Sequence, residues 1–182
     1  MFFEIIRFFY PENTPFRELL IKHSTQVRDK ALEIAAASGV SVDTETVICG
    51  AMLHDIGIGK CHAPSILCMG NEPYIRHGIL GAQMLREHFP ALEKYARICE
   101  RHTGSGLAAK EIIRQSLPLP PRDFLPETPE EKLLTLADKF FSKSGDMQEK
   151  DFLTVRRSME KFGTDSLERF DELCRYFRLK QN

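Results

Sequence analysis

The sequence predicts an all-α fold. Apolar residues recur with a 3.6-residue period in one segment after another, the strongest Pro and Gly punctuation falls between those segments, and no stretch sustains the two-residue alternation of a strand. The 182 residues carry 25 Lys and Arg against 26 Asp and Glu, a net charge of -1 with the six histidines neutral, and 42% of them are apolar. That balance suits one domain, residues 1–182, whose core needs no disulfides. Near-neutrality disfavours the strongly basic face of a DNA or RNA binder but leaves room for a small phosphorylated ligand. Five cysteines without a C-x-x-C pair argue for a reducing compartment, so the expected location is cytoplasmic.

The apolar start, Met1 to Tyr10, is broken by Glu4 and Arg7 and ended by Pro11, and it is far shorter than the roughly 20 residues of a membrane span. It is expected to cover the core, or else to make a surface or dimer contact. Thr14-Pro15 caps and opens a helix from Phe16 to about Ala37, which Gly39 closes. Asp43 caps a second helix that runs to His54-Asp55 and is stopped by Gly57 and Gly59. A Cys-, Gly- and Pro-rich loop, Lys60 to Pro73, precedes helices at Tyr74–His88, Pro90–His102 and Leu107–Gln115. The prolines at 118, 120, 121, 126 and 129 forbid regular structure from Leu117 to Pro129, which is expected to form an ordered strap or lid held down by Phe124 and Leu125. Helices at Glu130–Phe141, Lys150–Phe162 and Asp165–Leu179 complete the pattern. The last two read as helices packed on the core or as a homodimer surface shared with the N-terminal segment.

Polar residues on apolar faces carry the functional signal. His23 lies amid Phe16, Leu19, Leu20, Val27 and Ala31; Val47, Ile48, Ala51 and Met52 lead at helical spacing to Asp55. His77 begins the stripe of Leu80, Gly81 and Met84. Ala91, Tyr95, Ile98 and Cys99 lead to His102, and Leu133, Leu134, Ala137 and Phe141 surround Asp138. Any one of these has an ordinary explanation as a hydrogen-bonded core residue or a cap. Together they would leave carboxylates and imidazoles buried at a cost of several kcal/mol. A divalent metal site in the bundle satisfies them all, and His54 joins it if the helix ends there. Imidazole and carboxylate without thiolate suit Fe, Mn, Zn, Co or Ni better than Ca or Mg. The six ligands His23, His54, Asp55, His77, His102 and Asp138 exceed the needs of one four-coordinate ion, so two ions bridged by Asp55 are expected. His62 in the loop could reach substrate but is expected to be solvated, and His88 is expected to cap a helix end; neither is assigned to the site.

These residues resemble the HD-domain metal-dependent phosphohydrolases. The resemblance rests on His23, on His54-Asp55-Ile56-Gly57 as the paired HDIG motif, and on Asp138 within Leu136-Ala137-Asp138. His77-Gly78 with Gly81-Ala82, and His102-Thr103-Gly104, look like the extra histidines of the two-metal branch, which includes symmetrical diadenosine tetraphosphate hydrolases. The likeness covers about residues 16–142, an HD core, with extra C-terminal helices at about 150–180. The second glycine-tyrosine-proline signature of the cyclic-dinucleotide phosphodiesterases is absent. Ile58-Gly59 stand before Lys60 where related sequences read HDIGK, and the stretch Leu117 to Asp123 looks like that of small stand-alone HDIG proteins.

The resemblance implies hydrolysis of a phosphate ester or anhydride of a small nucleotide-like substrate by metal-activated water, with Asp55 as the bridge and iron first among the metals. Of the cations close in sequence to the ligands (Lys60, Arg76, Arg101 and Lys139), Lys60 and Lys139 are the expected phosphate partners. No polynucleotide and no membrane partner are expected, and the protein is a monomer or homodimer. Two alternatives share the ligand set: a mixed-valence di-iron oxygenase, and a non-catalytic nucleotide-binding protein.

Overall fold

The computed structural model describes residues 1–179. Among them the helices are α1 (Phe2–Phe9), α2 (Pro15–Ser38), α3 (Thr44–Leu53), α4 (His77–His88), α5 (Glu93–Arg101), α6 (Ala109–Arg114), α7 (Pro129–Asp138), α8 (Phe152–Glu160) and α9 (Thr164–Tyr176). The only strands among the described residues, β1 (His62–Ala63) and β2 (Cys68–Met69), form a two-residue antiparallel hairpin with His62 opposite Met69. The fold is all-α, as its periodicity predicts.

Capping sets the helix starts. The Thr14 hydroxyl accepts from the Arg17 N–H at 3.2 Å, and Pro15, which has no N–H to satisfy, occupies the first turn of α2. Asp43 accepts from the Glu45 N–H at 3.2 Å to open α3, and Asp151 accepts from the Thr154 N–H at 2.9 Å, which starts α8 at Phe152, two residues later than the expected Lys150. Gly39 ends α2 at φ 69°, a left-handed conformation that glycine adopts without a side-chain clash.

Several elements differ from their sequence expectation. The first residues form a helix that buries Ile5 and Ile6 while Phe3 and Phe8 remain exposed. Short 3-10 turns at Tyr74–Arg76 and Pro90–Leu92, each beginning at or just after a proline, delay α4 and α5, so that Ala91 is exposed outside α5. Helix α7 ends at Asp138 rather than Phe141. The N–H groups of Lys139, Phe140 and Phe141 bond three residues back, to Leu136, Ala137 and Asp138, which tightens the chain out of the α-helix.

Helices α3 and α7 pack on each other and on both α2 and α5, and α4 lies along α5. Leu20 and Val27 of α2, Ala51 and Met52 of α3, Ile98 of α5 and Leu134 of α7 share one buried cluster. Val155 and Met159 of α8 and Phe170 and Cys174 of α9 join it, with α9 resting on α7. A second cluster of Ile79, Ile112 and Phe124 anchors the proline-rich strap, whose Phe124 pairs through its backbone with Leu107. Phe124 is buried and Leu125 half-buried. All five cysteines are buried free thiols. No described helix is long and apolar enough to cross a membrane.

Candidate metal centre

Four helix ends and the middle of α2 meet at one point. His77 is the first residue of α4, His102 directly follows α5, and Asp138 is the last residue of α7. After Leu53, the Ile56 N–H bonds to the Leu53 carbonyl at 3.0 Å and the Ile58 N–H to the Asp55 carbonyl at 2.9 Å, a tight turn that presents His54 and Asp55 off the end of α3. All six expected ligands are brought together, none more than 7% exposed.

They form two groups that share one carboxylate. His23, His54, Asp55 and Asp138 make the first, and Asp55, His77 and His102 the second. Oδ2 of Asp55 lies 3.3 Å from His23 Nε2 and 3.2 Å from His54 Nε2. Its Oδ1 faces the other way, 3.6 Å from His77 Nε2 and 3.5 Å from His102 Nε2. Asp138 Oδ1 is 3.0 Å from His23 Nε2.

The donor atoms fit a divalent ion. Nδ1 of His54, His77 and His102 faces the carbonyls of Ala51, Tyr74 and Cys99 at 2.7, 2.7 and 2.8 Å. A carbonyl only accepts, so each Nδ1 carries a proton and each Nε2 faces the cluster, where it offers a lone pair whenever the ring is neutral. Nε2 of His77 and of His102 then face each other at 3.0 Å with no proton to share. His54 Nε2 and both Asp55 oxygens are buried without an aligned hydrogen-bond partner. A cation among them satisfies every one of these atoms.

The charges are strongly coupled. Burial alone would raise the Asp55 carboxyl, but His54 and Lys143 hold it well below the usual carboxylate range; Lys139 and Lys143 do the same for Asp138. Burial works against a charged His54, yet Asp55 and Asp138 carry it up to about 9. His77 is pushed down to about 3 by burial and by His102, and burial also lowers His102, which keeps this pair neutral and ready to ligate.

Two glycines set the close approaches. A Cβ on Gly57 would stand 2.3 Å from both the His77 carbonyl oxygen and the Gly81 nitrogen, so the absence of a side chain lets the turn carrying Asp55 touch the start of α4. Gly78 likewise lies against the Cys99 carbonyl, where a Cβ would sit at 2.5 Å, and this brings α4 and α5 together beneath His77 and His102.

The expected cations fare differently. Lys139 sets its ammonium 2.7 Å from Asp138 Oδ2 and donates to the His102 carbonyl at 3.2 Å. Lys60 is not brought to the cluster: it sits exposed on the 3-10 turn Ile58–Lys60, outside the cleft. The extra Ile58-Gly59 step spends the chain in that turn before the lysine is reached. Lys143 is there instead, 2.7 Å from Asp55 Oδ2 and 3.8 Å from Asp138 Oδ1. Continued as helix, five residues would turn Lys143 about 140° away from Asp138. The early end of α7 folds it back. His62 and His88 are both exposed and away from the cluster.

A cleft of about 510 Å³ opens onto the cluster, with His77, His102 and Asp138 at its base and Tyr74, Phe141, Lys139 and Lys143 beside them. Lys150, Ser158, Lys161 and Phe162 line it from the C-terminal region.

The HD domain family model matches residues 20–142, about two thirds of the chain. The protein belongs to the HD domain family. The match spans the two ligand groups from His23 to Asp138 and stops one residue before Lys143. An uncharacterized protein of Methanocaldococcus jannaschii is 41% identical over 124 residues, 66% of this chain and 65% of that one. Proteins named tRNA (cytidine(56)-2'-O)-methyltransferase from Picrophilus torridus and Thermoplasma volcanium are 32% and 31% identical over 150 and 159 residues. This HD domain protein spans 38% and 42% of their lengths, so each of them carries more sequence than the part that aligns. No solved structure matches.

Proposed function

We propose that this HD domain protein is a metal-dependent phosphohydrolase that cleaves a phosphate ester or anhydride of a small nucleotide-like molecule. The observation that carries the reading is the division of Asp55, whose two oxygens face two separate groups of imidazole and carboxylate donors. His23, His54, Asp55 and Asp138 would hold one ion, and Asp55, His77 and His102 a second. The donor set suits Fe, Mn, Zn, Co or Ni, with iron favoured. Bound there, such ions supply Lewis-acid activation of water and of phosphoryl oxygen.

The chain's own residues account for the rest. Lys139 and Lys143 hold their ammonium groups at the cleft side of the ligands, where phosphate charge must be neutralised and where charge develops on the departing oxygen. Lys143 takes the place expected of Lys60. Carbonyl-bound Nδ1 atoms keep three imidazoles from rotating, and the strap and C-terminal region wall the cleft against bulk water. The size of the cleft fits a small molecule rather than a polynucleotide.

The test is metal analysis of wild type and Asp55→Ala, followed by a nucleotide panel assayed with Mn, Co, Ni and Fe. Wild type should hold metal and release phosphate, and Asp55→Ala should do neither. Phosphate release by metal-stripped Asp55→Ala would overturn the proposal, as would oxygen consumption by an iron-loaded protein that releases no phosphate from any nucleotide.

A further inference from the structure

Beyond Lys143, one residue past the end of the family match, the chain builds a wall of the cleft that the reaction at the metal ligands does not use. Lys150 comes from the turn before α8, and Lys161 and Phe162 directly follow α8; all three line the same cleft as His77, His102 and Asp138. Lys139 and Lys143 lie against Asp138 and Asp55 and serve the phosphate at the metal ligands. Among the described residues, Lys150 and Lys161 have no carboxylate partner, although other lysines of the chain do: Lys30 pairs with Glu149 and Lys110 with Asp165. Lys150 is half-buried. Its own burial and the neighbouring Lys139 and Lys143 push its ammonium below the ordinary lysine range, against the pull of Asp138. An uncompensated, half-buried ammonium beside two others stands to gain from an incoming anion.

We infer that Lys150 and Lys161 form a second phosphate subsite, so that the preferred ligand is a nucleotide with two phosphate groups, one at the His/Asp cluster and one at these lysines. Exposed Phe162, next to Lys161, offers a flat face for the base. The inference rests on the phosphohydrolase reading for the event at the first phosphate, but the subsite is a binding property and can be measured without turnover.

The experiment measures binding to the manganese-loaded full chain by calorimetry. One probe is inorganic phosphate; the other is adenosine 5'-(α,β-methylene)diphosphate, whose P–C–P linkage resists hydrolysis. Lys150→Ala and Lys161→Ala should each weaken the diphosphate analogue about tenfold more than they weaken phosphate, as expected for losing a charge-assisted contact. Lys150→Arg, which keeps the charge, should restore most of the loss. Lys161 is exposed, so its variant tests the subsite even if Lys150→Ala disturbs the fold. Turnover of adenosine 5'-diphosphate and adenosine 3',5'-bisphosphate against the monophosphate then tells where the second phosphate sits.

Equal weakening of both probes, no weakening of either, or a wild type that prefers the analogue no more than phosphate would overturn the subsite. Selective weakening in a protein that releases phosphate from no nucleotide would instead leave the subsite standing and remove the phosphohydrolase reading.

Discussion

Replacing Gly57 with alanine should separate the two ligand groups. The backbone there is at φ -84°, which alanine adopts without strain, so the whole effect is steric. The added methyl would stand 2.3 Å from the His77 carbonyl oxygen and 2.3 Å from the Gly81 nitrogen. Both are backbone atoms, and no rotamer change relieves the clash. Reaching ordinary contact near 3.5 Å requires α4 and the turn to part by roughly 1 Å. His77 Nε2 is already 3.6 Å from Asp55 Oδ1, so the group of Asp55, His77 and His102 widens. The other group draws nothing from α4 and should survive.

Overpacking of this kind costs about 1–3 kcal/mol, and misplacement by about 1 Å can cost on the order of 100-fold in rate. Equilibrium dialysis against manganese with elemental analysis should therefore show a loss of about one equivalent of metal. The melting temperature should fall by roughly 2–4 °C for each kcal/mol. Wild-type metal content and melting temperature in Gly57→Ala would refute the argument that this close approach holds His77 to Asp55.

Lys143→Met should lower turnover by about 10²- to 10³-fold while metal content is retained, whereas Lys60→Ala should stay near wild type; the reverse order would return the phosphate contact to Lys60. Tyr10→Phe removes the hydroxyl that donates to the Ile56 carbonyl in the turn after Asp55. Its cost should be about 1–3 kcal/mol by chemical denaturation, and an unchanged midpoint would show that α1 does not brace that turn. Chelation should lower the melting temperature, and manganese restored to 100 times its Kd should raise it by about 5–10 °C, from about 2.7 kcal/mol of linkage. Equal melting with and without metal would mean that the cluster does not bind the ion in the folded state.

Five of the six proposed ligands were legible because each breaks a rule visible along a single helix, and His54 followed from its place beside Asp55 at a helix end. A His or Asp on a 3.6-period apolar stripe must be buried, and burial must be compensated, whatever the helix packs against. Those local rules also made the all-α class, the caps at Thr14 and Asp43, and the strap readable from the sequence, whereas the cap at Thr128 that opens α7 was not read from it. Short-range sequence spacing was a poorer guide to the cations. Lys60 is close to Asp55 in sequence and exposed in space, while Lys143 reaches Asp55 from 88 residues away. The sequence by itself determined which residues must be buried together, because helical periodicity is a local property of the chain. Only the tertiary structure decided which oxygen of Asp55 faces which histidines, where α7 ends, and that the C-terminal helices wall the cleft, because those depend on how closely backbones approach at Gly57 and Gly78 and on contacts between segments far apart in the chain.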